Sequence, residues 1–197
     1  MPDSRTVVLL SGGVDSSLCL LRAHREGRLH SALQVNYEQP MADAERRAAQ
    51  ALCDSLGVQR VPLRAYHPGR AAMWAGHGAT GPRVVPGRNL WLISLAVSHA
   101  AACGATSVTI GCNADDAANY PDCRPQFIEA AHELAARAYG IAVLAPLVGL
   151  SKQEVIAEWV GSGRSLDECW SCYESKNLTP CGTCDACVLR RSAMVGG

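Results

Sequence analysis

The stretch Thr6-Val7-Val8-Leu9-Leu10-Ser11-Gly12-Gly13-Val14-Asp15-Ser16-Ser17 decides the fold. Its first five residues are β-branched or apolar without a break, as a strand buried on both faces requires. Ser11-Gly12-Gly13 ends that run, and Asp15 to Arg25 continues as a helix. A strand that feeds a helix through a glycine turn aims the amides of Asp15, Ser16 and Ser17 outward, where the helix dipole favours phosphate. Gly12 and Gly13 let the backbone approach an anion closely, and Ser11 and Ser16 add hydroxyl donors. The Asp15 carboxylate repels phosphate, so it is read as a ligand of a bridging Mg2+ or as a brace within the loop. Ser11, Gly12, Gly13, Val14, Asp15, Ser16 and Ser17 are therefore the expected anion-binding turn.

Outward from this turn the chain alternates. Ser31 to Asn36 reads as a second strand, Asp43 to Leu56 as an Ala- and Arg-rich helix, and Val58 to Leu63 as a third strand. Residues 65–83 lose periodicity around Pro68, Gly69, Gly76, Gly78, Gly81 and Pro82 and read as a loop or lid. Asn89 to Cys103 is a long apolar helix, Ser107 to Ile110 a strand, and the stretch from there to Pro121 irregular. Pro125 to Tyr139 is helical and Ile141 to Leu144 a strand. Ser151-x-x-Glu154 is a capping box that opens a helix to about Val160. Strands alternating with helices predict an α/β fold with a doubly wound, mostly parallel sheet, and ligands beyond the carboxyl ends of its strands. Residues 1–165 form the expected nucleotide-binding domain. Residues 166–197 form a small Cys-rich segment packed on it, with a short helix near Val188 to Met194.

Composition narrows the function classes. A net charge of +0 advertises no basic face for nucleic acid, and the single phenylalanine, Phe127, argues against a base-stacking platform. No apolar run reaches the length of a membrane span, and Met1 to Val8 lacks the order of a signal peptide. The expected compartment is the reducing cytoplasm, where 10 cysteines point to metal or chemistry before disulfides. Only Lys152 and Lys176 are lysines among the 18 basic residues. Genome composition accounts for that bias, yet a lone lysine placed at a phosphate site has a task.

The tail carries Cys169-x2-Cys172, then Cys181-x2-Cys184-x2-Cys187. Four thiolates at about 2.3 Å from Zn2+ make a closed structural site. Five cysteines compete for four places; the reading selects Cys172, Cys181, Cys184 and Cys187, with Cys169 a bystander or reserve ligand. An iron–sulfur cluster is the main competitor, although ferredoxin-type runs continue with a further Cys and a Pro that are missing after Cys187. A closed site pins the tail and performs no chemistry.

Further stretches carry a resemblance. They are V-V-P-G-R-N (84–89), I-G-C-N-A-D-D (110–116), Y-P-D-C-R-P-Q-F (120–127), P-L-V-G-L-S-K-Q-E-V-I (146–156), W-S-C-Y (170–173) and C-G-T-C-D-A-C (181–187). With S-G-G-V-D-S (11–16) they resemble, in order and over nearly the whole chain, the 7-cyano-7-deazaguanine synthases. Those belong to the ATP pyrophosphatases, which share an SGGxDS loop and cut ATP between its α and β phosphates. The resemblance implies an adenine nucleotide alpha-hydrolase-like, Rossmann-like fold, a homodimer, and ATP, Mg2+ and Zn2+ as cofactors. It implies that 7-carboxy-7-deazaguanine, ammonia and ATP become the 7-cyano nucleobase precursor of queuosine. The carboxylate is adenylated, ammonia gives an amide, and the amide is activated again and collapses to the nitrile.

Carried onto this chain, Asp15, Lys152 and Arg88 become catalytic. Lys152 would reach the same phosphates as the Ser11–Ser16 loop, and Arg88 would fork onto a carboxylate or phosphate. Asn89 would face the ligand, Asp122 would accept from a purine-like N–H, and Arg124 would pair with the substrate carboxylate. Asn113 and Tyr120 are further candidates on the same loop. Each has a plainer reading as a solvated lysine, a helix cap or a loop brace.

The chain departs from the family pattern after the second strand. Tyr37-Glu38-Gln39-Pro40-Met41 stands where the family has roughly Tyr-Gly-Gln-Arg-His. Residues 65–83 are short against the family's insertion there, and Gly149 replaces a common acidic residue. These changes leave room for a relative that hands the activated deazaguanine carboxylate to a protein amine. A tRNA-modifying pyrophosphatase and a zinc-stapled nucleotide sensor are the other rivals.

Overall fold

The computed structural model describes residues 5–67, 85–175 and 177–195. Five strands make one sheet: β1 (Thr6–Leu9), β2 (Leu29–Asn36), β3 (Arg60–Arg64), β4 (Ser107–Thr109) and β5 (Ala142–Leu144). Their order is β3-β2-β1-β4-β5, and every neighbouring pair is parallel. This is the doubly wound arrangement, with its switch point between β1 and β4.

The helices are α1 (Val14–Arg25), α2 (Ala42–Leu56), α3 (Arg88–Cys103), α4 (Ala114–Asn119), α5 (Pro125–Tyr139), α6 (Lys152–Gly161) and α7 (Asp185–Val195). Alternation along β1 divides the core. Val7 and Leu9 pack with Ile93, Val97, Ile128 and Ala131 of α3 and α5. Val8 and Leu10 pack with Leu18, Leu52, Val155 and Trp159 of α1, α2 and α6. A run that reads apolar throughout is thus apolar because both of its faces are covered.

Two boundaries differ from the sequence expectation. The stretch before Pro121 holds the short helix α4 and then a 3-10 turn, Pro121–Cys123. A reciprocal capping box between Asn113 and Asp116 starts α4. With six residues and none of them buried, it has no apolar stripe by which to be recognised. The last helix starts at Asp185, before Val188, because Cys184 already offers its carbonyl to Val188 N–H. From residue 68 on, the expected lid lies outside the described residues, as does Lys176. Gly149 sits on an exposed turn.

The departure after β2 has a backbone consequence. Glu38, where the family pattern has Gly, takes φ 62°, in the left-handed region. Its N–H donates to Asn36 Oδ1 at 2.8 Å and its carboxylate meets Arg64 at 2.9 Å, on an exposed surface. A left-handed non-Gly residue costs ~1–2 kcal/mol, of which glycine's greater unfolded entropy returns about half. Glu38→Gly should therefore raise the unfolding free energy by up to about 1 kcal/mol, since the exposed ion pair contributes little. Urea unfolding measures this; a lower midpoint would show that the Arg64 contact outweighs the strain.

Candidate active site

A cavity of about 630 Å³ opens over the carboxyl ends of β1, β2 and β4. It lies at the switch point, where a parallel sheet leaves a crevice for ligands. Ser11, Gly13, Val14, Asp15 and Ser16 form one wall. The loop is held by its own hydroxyls. Ser16 Oγ donates to Gly13 O at 3.0 Å and accepts Ser11 N–H at 3.1 Å, and Ser11 Oγ lies 3.0 Å from it.

Two members of the turn face away from the cavity. Gly12, at φ +86°, lies against α2 so closely that a Cβ would stand 2.6 Å from Glu45 O. Ser17 is buried beneath the turn. From the other side Gly111 closes the gap, for a Cβ there would stand 2.8 Å from Ser16 N. Gly111→Ala must therefore push the backbone of the loop itself. The expected result is a loss of about 1–3 kcal/mol of stability, together with loss of ATP affinity. Calorimetry and nucleotide titration test it, and unchanged nucleotide binding would contradict it.

Asp15 is the centre of a polar cluster. Asn113 Nδ2 donates to its Oδ1 at 2.8 Å, and Lys152 Nζ meets its Oδ2 at 2.5 Å. Burial lowers the Lys152 pKa, but the charge and hydrogen bond of Asp15, with Asp116 behind them, outweigh it and leave the net shift upward. The ammonium is held charged at the mouth of the loop. Ser151 caps α6, and Asp115 Oδ2 accepts Lys152 N–H at 2.7 Å, so two helix starts fix this lysine. Asp116 completes the group, its carboxyl raised above the usual range by burial.

The start of α3 also lines the cavity. Arg88 lines the cavity with its guanidinium 5.9 Å from the Tyr120 ring centre. Burial lowers the Arg88 pKa, while Tyr37, Tyr120 and Asp122 raise it to a net upward shift. Asn89 also lines the cavity, yet its polar atoms turn inward. Its N–H donates to Asp122 Oδ2 at 2.8 Å, and its Nδ2 donates to Asp122 O at 3.0 Å and to Cys123 Sγ at 3.1 Å.

Of the residues expected to touch substrate, the cavity therefore brings together Arg88, Asn89 and Tyr120. Asn113 is fully buried behind Asp15, Asp122 braces the start of α3, and exposed Arg124 donates to Ala117 O at 3.3 Å. Among the described residues these three do not line the cavity, and their side chains are held by Asp15, Asn89 and Ala117. Residues given no site role in the sequence reading also line it: Gln39, Asp115, Asp116 and Trp170, which lie in stretches that reading quoted, and Glu45 and Arg190, which do not. Glu45 lay hidden in the charged face of an amphipathic helix, and only folding shows which charge of that face turns inward.

The Cys-rich tail closes the third side. The Sγ atoms of Cys172, Cys181, Cys184 and Cys187 all lie within 4.8 Å of one another. A tetrahedral Zn2+ with 2.3 Å bonds needs sulfurs about 3.8 Å apart, so the cluster is of the right size. Cys172 Sγ accepts N–H from Glu174 and Cys181, and Cys181 Sγ accepts from Thr183 and Cys184. Those donors lower the Cys181 pKa to about 6, toward the thiolate a metal binds. Cys169 is not part of this group. It packs in the core beside α1, and burial pushes its thiol up to about 11. Trp170 N–H donates to Gly12 O at 2.8 Å, which ties the tail to the anion loop.

The model of the family described as Queuosine biosynthesis protein QueC matches residues 5–196. The chain belongs to the QueC family. It is 37% identical to a 7-cyano-7-deazaguanine synthase of Koribacter versatilis, over 98% of this chain and 89% of that one. Two solved structures share the fold alone. The NH3-dependent NAD synthetase of Campylobacter jejuni is 18% identical at TM-score 0.55, covering 85% of this chain and 68% of its own. The tRNA thiolase NcsA of Methanococcus maripaludis, with its [4Fe-4S] cluster, is 14% identical at TM-score 0.59, covering 97% and 63%. In this QueC-family chain no helix among the described residues is long and apolar enough to cross a membrane.

Proposed function

We propose that this QueC-family chain is an ATP-dependent C–N ligase that converts 7-carboxy-7-deazaguanine and ammonia to 7-cyano-7-deazaguanine. The observation that carries the reading is the anion loop with the Asp15–Lys152 pair as one wall of a cavity that Arg88 also lines. Such a cavity suits a triphosphate at the loop and a carboxylate at Arg88.

The chemistry needs no enzyme nucleophile. A carboxylate oxygen attacks the α-phosphorus, the α–β bridging bond breaks, and pyrophosphate leaves. Ammonia then displaces AMP to give the amide and releases a proton. The amide oxygen then attacks the α-phosphorus of a second ATP and a second pyrophosphate leaves; loss of AMP and protons from the adenylated amide gives the nitrile. Ser11, Ser16 and the loop amides would hold the phosphates, and Lys152 would neutralise charge gathering on the leaving pyrophosphate. Arg88 would orient the carboxylate.

Asp15, Asp115 and Asp116 would hold Mg2+. The Asp116 carboxyl is raised chiefly by burial, with the Asp15 charge a lesser cause, and a cation beside it would favour its charged form. Mg2+ when bound supplies charge neutralisation on phosphate oxygens. The four tail cysteines would hold Zn2+ as a structural staple, and ten thiols suit a reducing cytoplasm. Metal analysis should find one zinc per chain; iron with visible absorption would overturn that assignment.

Phosphorus NMR tests the reaction class. ATP should give AMP and pyrophosphate, and only when the carboxy base is present. ADP and phosphate as products would contradict cleavage at the α–β bond.

A further inference from the structure

One part of the cavity has no task in the adenylation chemistry. Helix α2 opens with a turn that carries Glu45, whose side chain lines the cavity beside Arg88, Tyr37 and Gln39. Gln39 is fully committed as a bracket. Its Oε1 accepts Tyr37 N–H at 3.0 Å and its Nε2 donates to Glu45 Oε2 at 2.7 Å. Burial raises the Tyr37 phenol, the Arg88 charge opposes that rise, and both side chains line this part of the cavity. Leu33, Val35 and Leu92 supply the apolar remainder of the wall. A fixed carboxylate acceptor and a guanidinium donor therefore stand on one wall of a slot with an apolar lining. Burial raises the Glu45 carboxyl above its usual range, against the Gln39 hydrogen bond and the Arg88 charge. A ligand that gives this carboxylate N–H donors would favour its charged form.

We propose that Glu45 is the specificity-determining residue for the nucleobase, accepting the ring N–H and the exocyclic amine of a 2-amino-4-oxopyrimidine edge. The inference rests on the deazaguanine reading above and names the residue that reads the base. A carboxylate has acceptors only, so it fits an edge with two adjacent donors. Adenine offers one donor and one ring-nitrogen acceptor there, and the acceptor would face the carboxylate lone pairs. Glu45 is thus matched to the guanine-type base and mismatched to the adenine of ATP. Its backbone oxygen lies against Gly12 of the anion loop, so a base held here stands beside the phosphate site.

The test uses the full chain with ATP and two bases, 7-carboxy-7-deazaguanine and its analogue without the 2-amino group. Base-dependent AMP formation gives kcat/KM for each, and ATP titration at saturating base gives KM for ATP. The wild type should prefer the 2-amino base by about 100-fold, as one bidentate pair allows. Glu45→Gln, which sets an amide donor against the base donors in one orientation and halves the acceptors in the other, should collapse that preference and leave KM for ATP in place. Gln39→Ala frees the bracket, so it should raise KM for the base about tenfold and spare kcat. This second variant decides the matter if Glu45→Gln does not fold. A Glu45→Gln variant that keeps the preference, a Gln39→Ala variant that leaves KM for the base unchanged, or either variant raising KM for ATP in its stead, overturns the assignment of Glu45. A wild type that makes no AMP with either base overturns the deazaguanine reading, and this inference with it.

Discussion

Lys152→Ala lowers the rate of base-dependent AMP formation about 10²- to 10³-fold, the usual cost of removing one preorganised charge from the site of developing negative charge. The lysine is fixed from three directions: its ammonium by Asp15, its N–H by Asp115, and its helix start by Ser151. Its side chain is 22% exposed and that of Asp15 17%, so the pair is partly desolvated. Removing one partner leaves the other short of compensation, at a cost below the ~3–5 kcal/mol of a fully buried pair. The sign follows from the shift. The lysine pKa is raised above 10.5 on folding, so its contribution is complete below that value and is lost as the pH climbs through the raised one. Stopped assays with a thermal melt separate the two effects. A variant that is as stable as the wild type and as active would remove Lys152 from the mechanism.

The second large effect belongs to the tail. If the four sulfurs hold a structural metal as proposed, stripping it with a chelator, or Cys184→Ser, should abolish ATP-dependent activity although the proposed chemistry uses no cysteine of the cluster. The route is structural. The four sulfurs gather a segment with little apolar core of its own, namely Trp170, Cys181 and Ala186 around the buried cysteines. That segment holds Gly12 O through Trp170 N–H and supplies Trp170, Tyr173 and Arg190 to the cavity. Arg190 joins the rest by donating to Cys169 O at 2.7 Å and pairing with Asp167 at 2.8 Å. Structural zinc contributes on the order of 10 kcal/mol in small zinc peptides. Even a third of that would lower the melting temperature of a chain this long by roughly 10 °C. Limited proteolysis should cut first within residues 170–195. Full activity after verified metal loss would contradict the account.

The sequence made the sheet legible because β1 is apolar on both faces and leads straight into a glycine turn, a pattern with few structural solutions. The anion loop was legible for the same reason, and so was the metal cluster, whose spacing is its geometry. The rest of the cavity wall was not. Asp122 and Arg124 belong to a segment with several polar side chains, and sequence order does not say which of them meets a ligand and which caps a neighbour. Folding settles that through the start of α3, whose first-turn N–H groups lack helical partners and draw Asp122 to Asn89. Glu45 was invisible because α2 carries Asp43, Glu45, Arg46, Arg47 and Asp54 along one amphipathic pattern. Its carboxylate is held by Gln39 and its backbone lies against Gly12, contacts that sequence order alone does not show. The altered loop after β2 stands out in the sequence, but its cost, a left-handed Glu38, shows only in the backbone.

The most direct measurement is mass spectrometry of the nucleobase after incubation with ATP, Mg2+, 7-carboxy-7-deazaguanine and ammonium. The account predicts the nitrile, with two ATP consumed per product. A reaction that stops at the adenylate or the amide, or that attaches the base to a protein amine, would contradict it.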